Sequence, residues 1–172
     1  MSSKILNIEI KAKCHNPEEI KKSLLDKNAD FKGIDHQIDT YFNCRDGRLK
    51  LRTGNIENSL IFYQRSNQAG PKASHVSLTK LPTDNNLKQT LSLSNGVMVE
   101  VDKQRGIYFI DNVKFHVDEV KGLGWFVEIE AIDTDGSIGE EKLLEQCHLY
   151  MKLLNIHEKD LIEKSYSDLL LP

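Results

Sequence analysis

The chain has 172 residues, with 23 lysines and arginines, 26 aspartates and glutamates, and a formal net charge of −3. Its length suits one domain spanning residues 1–172, and the acidic balance argues against a general nucleic-acid binder, for which a basic excess is typical. Three widely spaced cysteines and the lack of any apolar run of membrane-spanning length favour a cytoplasmic protein with reduced thiols and no membrane partner.

The first half of the chain is dominated by alternation of apolar and polar residues, which is typical of strands with two different faces. From Leu6 to Lys13 the even positions are apolar and the odd positions polar. Asn16-Pro17-Glu18-Glu19 then predicts a helix start, with an N-cap, a proline at N1 and a capping-box glutamate. Further strands are predicted at residues 36–44, 48–52, 60–65 and 73–81.

The second half continues the pattern. A short helix is predicted at residues 84–94, followed by strands at 97–109, 113–120 and 125–131. Ser137-Ile138-Gly139-Glu140 fits a capping box and predicts another helix start, and a last helix is predicted near 159–171. The hairpin spacing favours an antiparallel sheet of eight or nine strands with three or four helices over parallel βαβ units.

On the polar strand faces, basic residues lie together on some strands and acidic residues lie together on others. Faces that simply meet water would explain alternation, but opposite charges then tend to mix across neighbouring strands, because directly opposed like charges destabilise. A site for a metal-bound polyphosphate needs basic and acidic side chains in separate groups. Lysines and arginines neutralise the phosphate oxygens, while carboxylates hold Mg²⁺ or Mn²⁺. The basic members are Lys50, Arg52, Arg65, Lys103 and Arg105, and the acidic members are Glu9, Asp118, Glu128 and Glu130.

These residues also carry a resemblance to the CYTH superfamily, which unites class IV adenylate cyclases, thiamine triphosphatases and inorganic tripolyphosphatases. Asn7-Ile8-Glu9-Ile10-Lys11 resembles the ExExK signature of that group. Residues 37–42, 47–52, 60–65, 70–72 and 103–105 resemble its later motifs in order. The stretch from His116 to Glu130 and residues 165–170 resemble the class IV cyclase branch most closely, so the resemblance covers essentially the whole chain.

The resemblance implies an α+β fold: an antiparallel, eight-stranded closed β-tunnel with helices packed outside, which binds a triphosphate such as ATP together with Mg²⁺ or Mn²⁺. A homodimer is implied by analogy with class IV cyclases. The implied catalytic residues are Glu9, Lys11, Glu128 and Glu130. The implied metal ligands are Glu9, Asp118, Glu128 and Glu130. The implied phosphate-binding residues are Lys11, Lys50, Arg52, Arg65, Lys72, Lys103 and Arg105.

One position departs from the family pattern, because Asn7 replaces the first glutamate of ExExK. An asparagine can coordinate a cation through its carbonyl oxygen but removes one negative charge. This change weakens metal binding, alters the number of ions held or marks lost catalysis, unless it is a tolerated variant. Three functions stay open: an adenylate cyclase, which the resemblance favours, a triphosphatase acting on tripolyphosphate, thiamine triphosphate or a nucleotide, and a non-catalytic triphosphate-binding protein.

Motifs for other chemistry are missing from the sequence. There is no GxxxxGK[ST] phosphate-binding loop, and the six histidines lack the spacing of a zinc site. His116 lies beside the acidic residues of its strand and could contact a substrate, but a packed or surface histidine is the simpler interpretation.

Overall fold

Eight antiparallel strands close into a barrel in the computed structural model, which describes residues 5–64 and 68–172. The order around the barrel is β1-β5-β4-β3-β2-β6-β7-β8. This arrangement confirms the predicted closed eight-stranded tunnel. The strands are β1 (Ile5–Lys13), β2 (Asp30–Phe42), β3 (Arg48–Thr53), β4 (Ser59–Gln64), β5 (Lys72–Lys80), β6 (Val97–Ile110), β7 (Val113–Val120) and β8 (Gly124–Asp133).

The helices are α1 (Pro17–Asp26), α2 (Leu87–Asn95), α3 (Glu140–Leu153) and α4 (Tyr166–Leu170), with a 3₁₀ turn at Glu158–Asp160. The cap predicted for α1 is confirmed, since the Asn16 side chain accepts a hydrogen bond from the Glu19 N–H at 3.2 Å. The single last helix predicted at 159–171 is wrong, because the chain forms the 3₁₀ turn and α4 instead. No helix in the described part of the chain is long and apolar enough to cross a bilayer.

The capping box predicted at Ser137 is also wrong. Helix α3 has Gly139 as its N-cap, without a hydrogen bond from a capping side chain. The Asp133 carboxylate accepts the N–H groups of Gly136, Ile138 and Gly139 at 2.8–3.1 Å. This acidic side chain, which lies six residues before Gly139, therefore holds the loop that leads into α3 and accepts the N–H of the N-cap residue.

The apolar core lies outside the barrel wall. Ile8 and Ile10 of β1 and Ile129 of β8 are buried in one cluster with residues of α1 and α3, including Leu24 and Leu143. Because successive side chains of a strand point to opposite faces, the same alternation turns the charged residues of these strands inward. The register then places charged residues beside each other on neighbouring strands. These pairs are Glu9–Glu130, Lys11–Glu128, Asp39–Arg52 and Arg105–Asp118.

Candidate active site

A polar cavity occupies the inside of the barrel, and all eight strands contribute side chains to its wall. Its empty volume is about 820 Å³, counting the space open to solvent. The structure brings together in its lining the following predicted site residues: Glu9, Lys11, Lys50, Arg52, Lys103, Arg105, Glu128 and Glu130.

Asp39 organises a cluster of cations on one side of the cavity. Its carboxylate accepts hydrogen bonds from Nε and Nη2 of Arg52, both at 2.9 Å, and from Lys103 Nζ at 2.8 Å. Lys50 Nζ lies 3.3 Å from the same carboxylate. Burial opposes ionisation of Asp39, but the three cations outweigh it and hold the pKa of Asp39 well below its usual range. One carboxylate among three cations leaves an excess of positive charge, which suits an anion such as phosphate.

Asp118 is placed differently from the expectation that it binds metal. It is fully buried, and its carboxylate accepts Nε and Nη2 of Arg105 at 2.8 and 2.6 Å. The Tyr166 hydroxyl of α4 donates to the same carboxylate at 2.8 Å. Although ligand atoms of His116, Asp118 and Glu128 lie within 4.8 Å of one another, Arg105 donates to both carboxylates. This geometry favours an orienting role for Asp118, which holds Arg105, over a direct role at a metal.

Glu128 and His116 form a pair inside the cavity. Glu128 Oε2 lies 2.8 Å from His116 Nδ1 and accepts Arg105 Nη2 at 3.2 Å, while Oε1 lies 3.5 Å from Lys11 Nζ. Burial and the nearby Arg105 lower the pKa of His116 to about 4. The neutral ring therefore donates from Nδ1, and its buried Nε2 is an acceptor without a hydrogen-bond partner among the described residues. His116 is thus part of the cavity wall, where the sequence favoured a packed or surface position.

Glu130 and Asn7 form the part of the cavity that fits a cation. Burial raises the pKa of Glu130, and the neighbouring Glu9 and Glu128 raise it further, against the effect of Lys114. Asn7 Nδ2 donates to Glu130 Oε1 at 2.5 Å. Within residues 5–64 and 68–172, the buried Oδ1 of Asn7 has no hydrogen-bond donor. A crowded carboxylate beside an unsatisfied amide oxygen is the kind of oxygen ligand set that Mg²⁺ and Mn²⁺ take, so these residues fit a divalent cation.

One described residue of the predicted phosphate site, Lys72, is not among the residues that line the cavity. Lys72 is buried, and its Nζ donates to the backbone oxygen of Glu163 at 2.7 Å, which directs this amine towards the C-terminal segment. Its expected phosphate contact is therefore not supported by the geometry. Arg65 lies outside the described residues.

Lys114 and Glu57 also line the cavity and were not predicted from the sequence. Lys114 has the same parity on β7 as His116 and Asp118, so the alternation could have revealed it. Glu57 comes from the β3–β4 loop, which has no such pattern. Asp35 holds this loop, because its carboxylate accepts the N–H groups of residues 55–57 at 2.6–2.9 Å. Gly54 is required there, since a Cβ would lie 2.7 Å from the Asp35 oxygens.

The closed antiparallel barrel with charged residues inside is the triphosphate tunnel fold. A model of the CYTH domain matches residues 6–166, and the chain therefore belongs to the CYTH family.

The comparisons with individual proteins agree with this assignment. The chain is 31% identical to a Methanocaldococcus jannaschii protein named "putative adenylate cyclase", over 96% of this chain and 98% of the relative. A Pyrococcus horikoshii structure has a TM-score of 0.79 at 24% identity and covers 96% of this chain and 99% of its own. A Vibrio parahaemolyticus structure described as a "putative adenylate cyclase" has a TM-score of 0.73 at 18% identity, over 96% and 97% of the two chains.

Lys103 gives the cavity a pH dependence that can be tested. Burial, together with Arg105 and Arg52, lowers the pKa of Lys103 to about 7 in spite of Asp39. A bound polyphosphate favours the charged amine, so binding above pH 7 takes up a proton, and affinity falls as the pH rises. The Kd for ATP at constant excess Mg²⁺ should therefore increase by up to about five-fold from pH 7 to pH 8.

Calorimetry in two buffers of different ionisation enthalpy measures the proton uptake directly, and we expect about one proton at pH 8.5. Lys103→Arg is the matched control, because arginine stays protonated in this range and should bind ATP with little dependence on pH. Equal pH profiles for the wild type and Lys103→Arg would show that Lys103 does not titrate in the cavity.

Proposed function

We propose that the protein is a metal-dependent enzyme acting on a triphosphate, and specifically a class IV-type adenylate cyclase that converts ATP to cyclic AMP and pyrophosphate. One observation carries the proposal: the cavity inside the barrel contains a cation cluster with excess positive charge, around Asp39, and a separate carboxylate group at Glu130. A metal-bound triphosphate has the complementary charges. The name of the Methanocaldococcus jannaschii relative supports the cyclase assignment.

The roles of the residues follow from their positions. Arg52, Lys50, Lys103 and Arg105 bind the phosphate oxygens together with Lys11, whose Nζ lies 3.5 Å from Glu128 Oε1. Glu130, Glu9 and the free Oδ1 of Asn7 would hold Mg²⁺ or Mn²⁺, with Glu128 next to them. When bound, the metal neutralises phosphate charge and helps to orient the phosphates.

The cyclase reaction requires no covalent bond between the substrate and the protein. The 3′-hydroxyl of ATP attacks the α-phosphorus and loses its proton to water, so that a new O3′–phosphorus bond forms. The bond from the α-phosphorus to the oxygen that bridges to the β-phosphorus breaks, and the β- and γ-phosphates leave as pyrophosphate. The fixed cations position the chain of phosphates and neutralise the charge that shifts to the leaving pyrophosphate. Enclosure within the barrel strengthens these interactions, because little water screens them.

A triphosphatase is the second candidate, in which water attacks the terminal phosphorus of tripolyphosphate, thiamine triphosphate or a nucleotide. It is supported by a Hippeastrum structure described as a "putative adenylyl cyclase" with a dominant triphosphatase activity, which has a TM-score of 0.59 at 14% identity over 95% of this chain and 93% of its own. A non-catalytic triphosphate binder is the third candidate, because Asn7 removes one charge from the carboxylate group.

A product assay separates these candidates. The wild type is incubated with ATP, tripolyphosphate or thiamine triphosphate, with Mg²⁺ or with Mn²⁺, and cyclic AMP, pyrophosphate and orthophosphate are measured. We expect equimolar cyclic AMP and pyrophosphate from ATP, with Mn²⁺ more effective than Mg²⁺, which requires near-ideal octahedral geometry. Orthophosphate without cyclic AMP would favour the triphosphatase. Binding without any product would leave the non-catalytic function.

A further inference from the structure

The C-terminal segment, residues 161–170, packs against β1. The Ile162 N–H donates to the backbone oxygen of Lys11 at 2.9 Å, and Leu161 forms an antiparallel β-bridge with Ala12. These contacts lie beyond the part of β1 that pairs with β5. The segment therefore occupies the edge that this end of β1 would otherwise leave open.

The first turn of α4 fixes the position of Tyr166 in this segment. Ser165 is the N-cap of α4 and forms a capping box with Asp168, whose carboxylate also lies 2.7 Å from Nη2 of Arg48. The Tyr166 ring packs on Phe126, with ring centroids 5.0 Å apart. Tyr166 is 5% exposed and lines the cavity. A residue outside the barrel strands is thus held in the cavity wall.

Tyr166 is connected to two of the cations that the proposed function assigns to phosphate. Its hydroxyl donates to Asp118 Oδ2 at 2.8 Å, and the same oxygen accepts Arg105 Nη2 at 2.6 Å. Arg105 Nε donates to Asp118 Oδ1 at 2.8 Å, so three hydrogen bonds fix the two oxygens of this carboxylate. Lys11 Nζ lies 4.1 Å from the centroid of the Tyr166 ring, within cation–π distance.

The Tyr166 hydroxyl restricts the Arg105–Asp118 pair in a way that the pair cannot achieve alone. An arginine and a carboxylate that bind only each other can turn as one unit about their side-chain bonds. A third hydrogen bond, from a group on a different element, removes this freedom, because charge-assisted networks inside a protein are strong and rigid. A guanidinium that is already oriented loses less conformational entropy when it binds an anion.

We infer that Tyr166 is a positioning residue, through which the C-terminal segment holds Asp118, and with it Arg105, in the orientation that binds phosphate. The inference rests on the proposed function and adds to it an element outside the barrel strands. Tyr166 acts on the phosphate through Arg105 and needs no contact with the phosphate itself.

Tyr166→Phe tests this role, because it keeps the ring beside Lys11 and removes only the hydroxyl. Calorimetric titration with tripolyphosphate at constant excess Mg²⁺ should show binding weakened about five-fold, the effect of one hydrogen bond. Tyr150→Phe is the matched control. Tyr150 lies on α3, where its ring centroid is 4.9 Å from that of Phe115 in the core outside the barrel, and its loss of a hydroxyl should not change the affinity.

A double-mutant cycle separates positioning from a purely structural role. Arg105→Lys keeps the positive charge beside Asp118 and Glu128, but an ammonium lacks the planar fork that pairs with both oxygens of a carboxylate. Adding Tyr166→Phe to Arg105→Lys should therefore change the affinity for tripolyphosphate less than two-fold. A general disturbance of α4 would instead weaken binding by the same factor in both backgrounds.

The outcomes separate this inference from the proposed function. Unchanged affinity of Tyr166→Phe, or an equal loss in the wild-type and Arg105→Lys backgrounds, would overturn the positioning role, while binding of tripolyphosphate by the wild type would leave the phosphate site in place. A wild type that does not bind tripolyphosphate would contradict the proposed function, and the positioning role with it. Circular dichroism of each variant checks that the barrel is intact.

Discussion

Arg52→Ala should weaken triphosphate binding about a hundred-fold, because it removes a buried, charge-assisted contact of the kind that contributes about 1.5–3 kcal/mol. Of Arg52 and Arg105, Arg52 is the arginine whose removal disturbs its buried neighbours less. Asp39 loses the guanidinium but keeps Lys103 at 2.8 Å and Lys50 at 3.3 Å, so its buried charge stays compensated. Calorimetric titration with tripolyphosphate and Mg²⁺ measures the loss.

Two further variants serve as a control and a comparison for Arg52→Ala. Lys22→Ala removes an exposed lysine of α1 that pairs with Asp26, and it should bind like the wild type. Arg105→Ala should lose binding as Arg52→Ala does, but it leaves Asp118 and Glu128 without their guanidinium and should also lower the free energy of unfolding by about 3–5 kcal/mol. Identical titration curves for Arg52→Ala and Lys22→Ala would contradict the proposed phosphate site.

Glu130→Gln should reduce metal-dependent turnover by about ten- to a hundred-fold, the second large effect we expect, since a lost charge-assisted interaction contributes about 1.5–3 kcal/mol. The substitution keeps the size of the side chain and an oxygen that can still accept the Asn7 amide, but it removes the negative charge that a hard cation requires. Turnover measured against Mn²⁺ concentration, with circular dichroism as a check of the fold, shows the effect.

Asn7→Glu is the reciprocal variant. It restores a negative charge next to Glu130 and Glu9, and it should lower the Mn²⁺ concentration needed for half-maximal turnover. If Asn7 instead belongs to a different substrate specificity, Asn7→Glu should reduce turnover of that substrate without producing cyclic AMP. Unchanged activity of Glu130→Gln at matched metal concentration would count against the metal assignment altogether.

The strands were predictable from the sequence because their main signal is local, whereas the closed eight-stranded barrel was implied by the resemblance to the CYTH superfamily. Alternation along each strand decides which side chains share a face, and this placed Lys50 with Arg52 and Glu128 with Glu130 before any pairing was known. The polarity of the faces followed from the sorting of charges. Contacts between distant parts of the chain were not predictable in this way.

Asp39 illustrates the limit. Its role depends on Lys103, which is 64 positions away and becomes its neighbour only when β6 pairs with β2. The alternation placed the Asp118 side chain on the correct strand face but could not reveal its partners. Arg105 and the distant Tyr166 donate hydrogen bonds to its carboxylate. Lys72 has inward parity on its strand, yet its amine is held by the C-terminal segment. The expected homodimer and cytoplasmic location stay predictions.

The central claim is that a metal-bound triphosphate lies inside the barrel. A crystal structure with Mn²⁺ and an ATP analogue that carries a methylene group between the α- and β-phosphates tests it most directly. We predict phosphate oxygens within hydrogen-bond distance of Arg52, Lys103 and Arg105, and an anomalous Mn²⁺ signal beside Glu130 and Asn7 Oδ1. Density for the analogue only on the outer surface, or a Mn²⁺ signal remote from Glu130 at saturating concentrations, would contradict the account.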